Sequence, residues 1–281
     1  MAAFRYVLVD VFTDTPLAGN ALAVFTDARE IPEEHLQPLA REMNLSESVF
    51  VLPAEGEGHA RIRIFTPAAE LPFAGHPTLG TAFVLAAPLQ LQEIRLETGA
   101  GLVPVRLERE GPRIVFGWMA QPLPTSEPAA QEHEVLDALG VERSELPVEV
   151  YDNGIRNLYV ALGTEDEVAA LAPDLSRLAK FDSVLGFSCF AGSGARWKTR
   201  MFAPGGGVPE DPATGSAAGP LALHLARHGW IDFGDEIQIS QGAEIRRPST
   251  LHARVEGSAS NVESVEVGGS AVIVARGEFR F

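Results

Sequence analysis

Two stretches of the chain, roughly half its length apart, carry one pattern. "FTPAAELP" at 65–72 runs into "FAGHPTLGTA" at 73–82, and "FAPGGGVP" at 202–209 runs into "EDPATGSAAG" at 210–219. Each contains P-x-x-G-[TS]-A, starting at Pro77 and at Pro212. A duplicated unit explains the pairing better than chance, and it restricts the chain to folds made of two like halves. The expected fold is therefore α+β with two pseudo-repeated domains. Domain boundaries of 1–123 and 124–281 follow, because "QPLPTSEPAAQEH" (121–133), rich in proline, serine and charge, is the best linker candidate. The last strand is allowed to pair back with the first half.

The remaining pattern fits strands around a few helices. "FRYVLVDVFT" reads as a strand; "PEEHLQPLAREMN" reads as a helix, with proline and acids at its start, apolar residues at helical spacing and asparagine at its end. "IRLETGAGLVPVRLERE" is a hairpin around Gly99–Gly101. "VLGFSCFAG" and "RWKTRMFAP" are strands in the second half. Pro220 is expected to kink the second patterned helix, or to separate a short turn from it.

Composition excludes several classes. With 281 residues, 46% hydrophobic, the chain can bury a sizeable core. Its 22 basic and 38 acidic residues give −16, and Arg196, Lys198 and Arg200 are too few to make a nucleic-acid footprint. No stretch approaches the roughly 18 apolar residues of a membrane span, and the N-terminus reads as a strand rather than a signal peptide. The expectation is a soluble, cytoplasmic protein with no nucleic-acid or membrane partner. Cys189 is the sole cysteine and lies in an apolar run, which reads as a buried thiol.

Both repeated segments read as helix N-termini. Proline at the first helical position loses no hydrogen bond, which places His76 and Asp211 at the N-caps. Gly80 and Gly215 leave the first turns without bulk, so an anion could approach the free N–H groups there. Joined face to face, two such domains would oppose His76 and Asp211 across one cleft. Glu47, between two serines in "NLSESVFV", reads on its own as a solvated acid at a strand edge, although the flanking hydroxyls could orient a carboxylate.

Together, "LSESVFV", "FAGHPTLGTA" and "FAPGGGVPEDPATGSA" resemble the PhzF-type family of phenazine-biosynthesis isomerases. "VDVFTDTPLAGNALAVF", the "QG…RPS" at 241–249 and "AVIVARGEF" extend the resemblance over nearly the whole chain. The resemblance implies a diaminopimelate-epimerase-like fold, two similar domains each with a mostly antiparallel sheet wrapped around a central helix. It further implies a homodimer that uses no cofactor and no metal. It places the catalytic glutamate on Glu47, the histidine on His76, the aspartate on Asp211 and the site serine on Ser216, with Gly75 beside the histidine. The implied activity is isomerisation of a small carboxylate such as trans-2,3-dihydro-3-hydroxyanthranilate.

In that reading Glu47 moves a proton between carbons while His76 and Asp211 hold polar groups of the substrate. The N–H groups around Gly75, Pro77 and Thr78, and around Thr214, Gly215 and Ser216, stabilise developing negative charge. A single cysteine excludes a two-thiol racemase, leaving an epimerase that uses His76 and Asp211 as bases, or a non-catalytic carboxylate binder, as the alternatives. His224 and His228, spaced i,i+4 without the glutamate of H-E-x-x-H, read as an ordinary helix face. His35, His59, His133 and His252 read as surface residues.

Overall fold

The computed structural model describes residues 3–281. Strands β1 (Ala3–Val11) and β2 (Asn20–Phe25) precede helix α1 (Glu33–Met43). Then come β3 (Glu47–Leu52), β4 (Ala60–Phe65), the short β5 (Glu70–Leu71) and helix α2 (Gly75–Leu89), followed by β6 (Glu93–Thr98), β7 (Gly101–Glu110) and β8 (Arg113–Ala120). The chain continues with β9 (Thr125–Pro128), α3 (Glu132–Leu139), β10 (Glu149–Asp152), β11 (Arg156–Ala161), α4 (Glu165–Ala170) and α5 (Leu175–Leu178). Next are β12 (Gly186–Ser193), β13 (Arg196–Ala203), β14 (Val208–Asp211) and α6 (Gly215–Arg227), and the chain closes with β15 (Glu236–Gln241), β16 (Ser249–Ser258), β17 (Asn261–Gly269) and β18 (Ala271–Arg280). One compact unit holds the chain up to Ala120 together with Gly268–Phe281; the other is Gln121–Val267. The fold is mixed α/β.

In the first unit β1 pairs antiparallel with both β2 and β18. The connection through α1 sets β3 parallel to β2, and the one through α2 sets β6 parallel to β4. The remaining steps, β3–β4, β4–β5, β6–β7 and β7–β8, are antiparallel hairpins. Strand β2 is buried on both faces, which is why "ALAVF" reads as one apolar run rather than an alternation. Ala23 and Phe25 pack with Phe50, Phe65 and the Leu36, Leu39 and Ala40 face of α1. Leu22 points the opposite way, as alternate strand residues must, and meets α2.

Helix α2 is buried without a break from Gly75 to Val84, as its all-round apolar sequence requires. Gly80 explains how closely it can lie on the sheet. A Cβ there would sit 2.7 Å from Val11 Cγ2 and 2.8 Å from Leu22 Cδ2. The small residue therefore serves core packing, and the expectation that it opens the turn to a ligand is corrected.

In the second unit β11 and β12 are parallel across α4 and α5, and β13 and β15 are parallel across α6. Antiparallel steps join β9–β10, β10–β11, β12–β13, β13–β14 and β15–β16. The proline-rich stretch at 121–133 is folded, since it contributes β9 and the start of α3. Val135, Leu139, Val168 and Leu178 from α3–α5 pack on Leu158, Val160, Phe187 and Cys189 of the strands. Cys189 is fully buried, and burial pushes its thiol pKa up to about 12. Among the described residues, no helix is long and apolar enough to cross a membrane.

Helix α6 runs from Gly215 to Arg227 through Pro220, so no short turn is separated from the main helix there. Proline has no N–H to offer the carbonyl of Ser216, one turn back. Asn153 Nδ2 donates to that carbonyl at 2.9 Å, while Gln121 Nε2 donates to Gly215 O at 2.7 Å and Tyr159 Oη to Ala217 O at 2.9 Å. Three buried side chains thus satisfy the carbonyls of the first turn, and the helix spans its proline.

Candidate active site

Parallel pairing of β2 with β3 sets Glu47, the first residue of β3, beside Leu22. The start of α2 brings His76 to the same place. His76 Nε2 lies 3.5 Å from Glu47 Oε2, with the imidazole almost wholly enclosed and the carboxylate 14% exposed. Behind the ring, Asn20 Nδ2 sits 3.2 Å from His76 Nδ1. An amide N–H₂ can only donate, so Nδ1 accepts and the proton of the neutral imidazole resides on Nε2, facing Glu47. Burial holds the imidazole neutral by lowering its pKa to about 3. Among the described residues, His76 Nε2 has no hydrogen-bond partner. A buried N–H left open beside a carboxylate is costly to keep and marks a place where a ligand group fits.

Neither His76 nor Asp211 occupies the cap position expected from the sequence. The N-cap of α2 is Ala74, which puts His76 second and Pro77 third in the helix. The N-cap and the first three helical positions lack an intrahelical acceptor, so proline is tolerated beyond the first of them. Thr78 closes the first bond on Ala74 O and donates its hydroxyl to the same carbonyl at 2.8 Å. Of the predicted Gly75–Thr78 donors, Pro77 has none and Thr78 has spent its own, leaving Gly75 and His76 with the unclaimed amides of the first turn.

In the second unit Thr214 is the N-cap of α6, and Pro212 lies in the loop before it. Asp211 ends β14, and its Oδ2 accepts a hydrogen bond from Thr214 Oγ1 at 2.6 Å. Gln241, at the end of β15, ties this turn together. Its Nε2 donates to Asp211 O at 2.7 Å and to Thr214 Oγ1 at 2.9 Å, while its Oε1 accepts from Thr214 N and Thr199 Oγ1. The Thr214 amide is therefore occupied, whereas Gly215 and Ser216 start the helix with amides lacking an intrahelical acceptor. Gly242 follows Gln241 at φ +80°, and a Cβ there would lie 2.4 Å from Arg247 O and 2.6 Å from Pro212 O. Only glycine lets the "QG" turn close on the Asp211 loop.

Asn20, Gln121, Asn153 and Gln241 do not stand out as functional in the sequence. Asn20 and Gln241 lie within the resembling segments, but nothing local tells that one holds an imidazole and the other a capping threonine. Two of the three basic residues of β13 are paired with acids, Lys198 with Glu244 at 2.6 Å and Arg200 with Glu210 at 2.7 Å.

The sequence model of the family described as phenazine biosynthesis-like protein (PhzC-PhzF) matches residues 9–277. The trans-2,3-dihydro-3-hydroxyanthranilate isomerase of Pseudomonas fluorescens is 50% identical over 273 residues, covering 97% of this chain and 98% of that protein. The crystal structure of a phenazine biosynthesis protein of the PhzF family from Bacillus anthracis superposes with a TM-score of 0.85 at 26% identity, covering 100% of both chains. A hydroxyproline epimerase from Agrobacterium vitis gives a TM-score of 0.69 at 12% identity over 98% of this chain and 92% of that one, a likeness of fold alone. These findings bear out the isomerase reading and the resemblance behind it. The chain belongs to the phenazine biosynthesis-like (PhzC-PhzF) family.

Proposed function

We propose that this chain isomerises trans-2,3-dihydro-3-hydroxyanthranilate, or a small cyclic carboxylate of the same kind, by moving one proton between two carbons without a cofactor. The observation that carries the reading is the Glu47–His76 pair, a partly open carboxylate against a buried neutral imidazole whose Nε2 is unmatched. Glu47 accepts the proton from the first carbon, and the electron pair left behind spreads into the conjugated substrate toward its carboxylate. His76 Nε2–H stabilises that charge or steadies Glu47 as it becomes an acid. Glu47 then returns the proton to the second carbon, so the protein ends in its starting state.

Asp211, buffered by Thr214, serves the substrate's amine on the same reading, and the first-turn amides of Gly75, His76, Gly215 and Ser216 serve its carboxylate. The parallel steps through α1 and α2 recur in the second unit through α4–α5 and α6, each between antiparallel hairpins, which supports reading the units as a pseudo-repeat of the diaminopimelate-epimerase type. The same reading makes the protein a cytoplasmic homodimer.

The test is incubation with trans-2,3-dihydro-3-hydroxyanthranilate in D₂O followed by proton NMR. The reading expects the isomerised product, with solvent deuterium at the carbon that gained the proton. Substrate recovered unchanged and unlabelled would refute the assignment.

A further inference from the structure

At the other end of α6, three Lewis bases from distant parts of the second unit converge. Glu149 lies on β10, His224 in the last turn of α6 and His228 at its C-cap. Glu149 Oε2 is 3.0 Å from His224 Nδ1 and 3.2 Å from His228 Nε2, and the three donor atoms all lie within 4.8 Å of one another. Tyr151 Oη approaches the same carboxylate oxygen at 3.0 Å. The i,i+4 histidines read as a plain helix face in the sequence because their third partner is 75 residues upstream of His224.

Metal–nitrogen and metal–oxygen bonds of about 2.0–2.2 Å set neighbouring ligands of a four- to six-coordinate ion about 2.9–3.4 Å apart. The two glutamate–histidine separations fall in that range. Mixed nitrogen and oxygen donors suit borderline transition ions rather than Ca²⁺ or Mg²⁺, which prefer oxygen throughout. His224 is wholly buried, whereas His228 and Glu149 are 24% and 20% exposed. That gives an ion a route in and leaves coordination positions for water. Eight residues of helix separate His224 from Ser216, about 12 Å at the α-helical rise, so this cluster is apart from the Asp211 loop.

We propose that Glu149, His224 and His228 form a divalent transition-metal site of the Zn²⁺ class, which clips the C-terminal turn of α6 to β10. The ion takes the place of the protons that the imidazoles share with the carboxylate, and it takes no part in the isomerisation. Because the ion binds the folded chain, it raises the thermal midpoint.

The full-length chain, stripped with chelator, is titrated with ZnCl₂ by calorimetry and with CoCl₂ by visible absorption. One equivalent should bind, with cobalt d–d bands and a higher thermal midpoint. His228→Ala, at a partly exposed position, should weaken binding more than about 10-fold and abolish the bands. Glu149→Gln should do the same, and His76→Gln should leave both signals in place. No binding in the parent chain, or equal affinity in His228→Ala, would overturn the proposal, as would loss of the site in His76→Gln.

Discussion

The buried neutral His76 makes a pH-dependent prediction whose size follows from its environment. Unfolded, the imidazole titrates at its ordinary 6.5; folded, burial lowers this to about 3. Between those values the unfolded chain binds a proton that the folded chain refuses, so stability falls as the pH falls. At 1.36 kcal/mol per unit, His76 costs about 2 kcal/mol at about pH 5 relative to pH 8, and about 3 kcal/mol at about pH 4. Replacing it by glutamine removes this term. Urea denaturation of the parent chain and His76→Gln at both ends of that range should show the stability gap shifting in the variant's favour by about 2 kcal/mol at about pH 5. His224, whose pKa burial also lowers, to about 4, titrates in both proteins and cancels in the difference. A gap that stays constant between pH 8 and about pH 5 would show that His76 is not held neutral, and the assignment of its proton to Nε2 would fall with it.

Asn20→Asp would offer His76 Nδ1 an acceptor in place of a donor, turning the imidazole toward the other tautomer or the charged form. Turnover should drop by about 100-fold or more with a small change in KM, measured by steady-state kinetics. Asn153→Ala leaves the buried Ser216 carbonyl without its donor and should cost about 1–3 kcal/mol in urea denaturation. Adding Pro220→Ala restores a backbone N–H at the position that normally serves that carbonyl, so the double variant should recover part of the loss. Gly80→Ala gains about 1 kcal/mol of helix propensity but forces a methyl against Val11 and Leu22, and a net loss of about 1–2 kcal/mol is expected by the same assay.

Much of this was legible because local chemistry and global fold agree. Helix α1 has the acidic first turn and the asparagine at its end, Asn44, that its sequence announced. The helix starts were read correctly as elements but misplaced by one to three residues. Proline is permitted throughout the unbonded first turn and in the loop before it, so it marks a boundary loosely. Gly80 looked like ligand access and proved to be packing, a distinction that depends on Val11 and Leu22 far away in the chain. The same limit hid Asn20 behind His76, Asn153 behind Pro220 and Glu149 beside His224 and His228. Each is a polar partner brought in by strand pairing, and no spacing rule along the chain connects them.

The proposed reaction rests on Glu47 carrying the proton from one carbon to the other. Single-turnover NMR in D₂O on Glu47→Gln, with trans-2,3-dihydro-3-hydroxyanthranilate and the parent chain alongside, tests it most directly. The variant should still fold and bind, while turnover and deuterium incorporation fall by about 1,000-fold or more. Deuterium entering at the parent rate in Glu47→Gln would show that another group carries the proton.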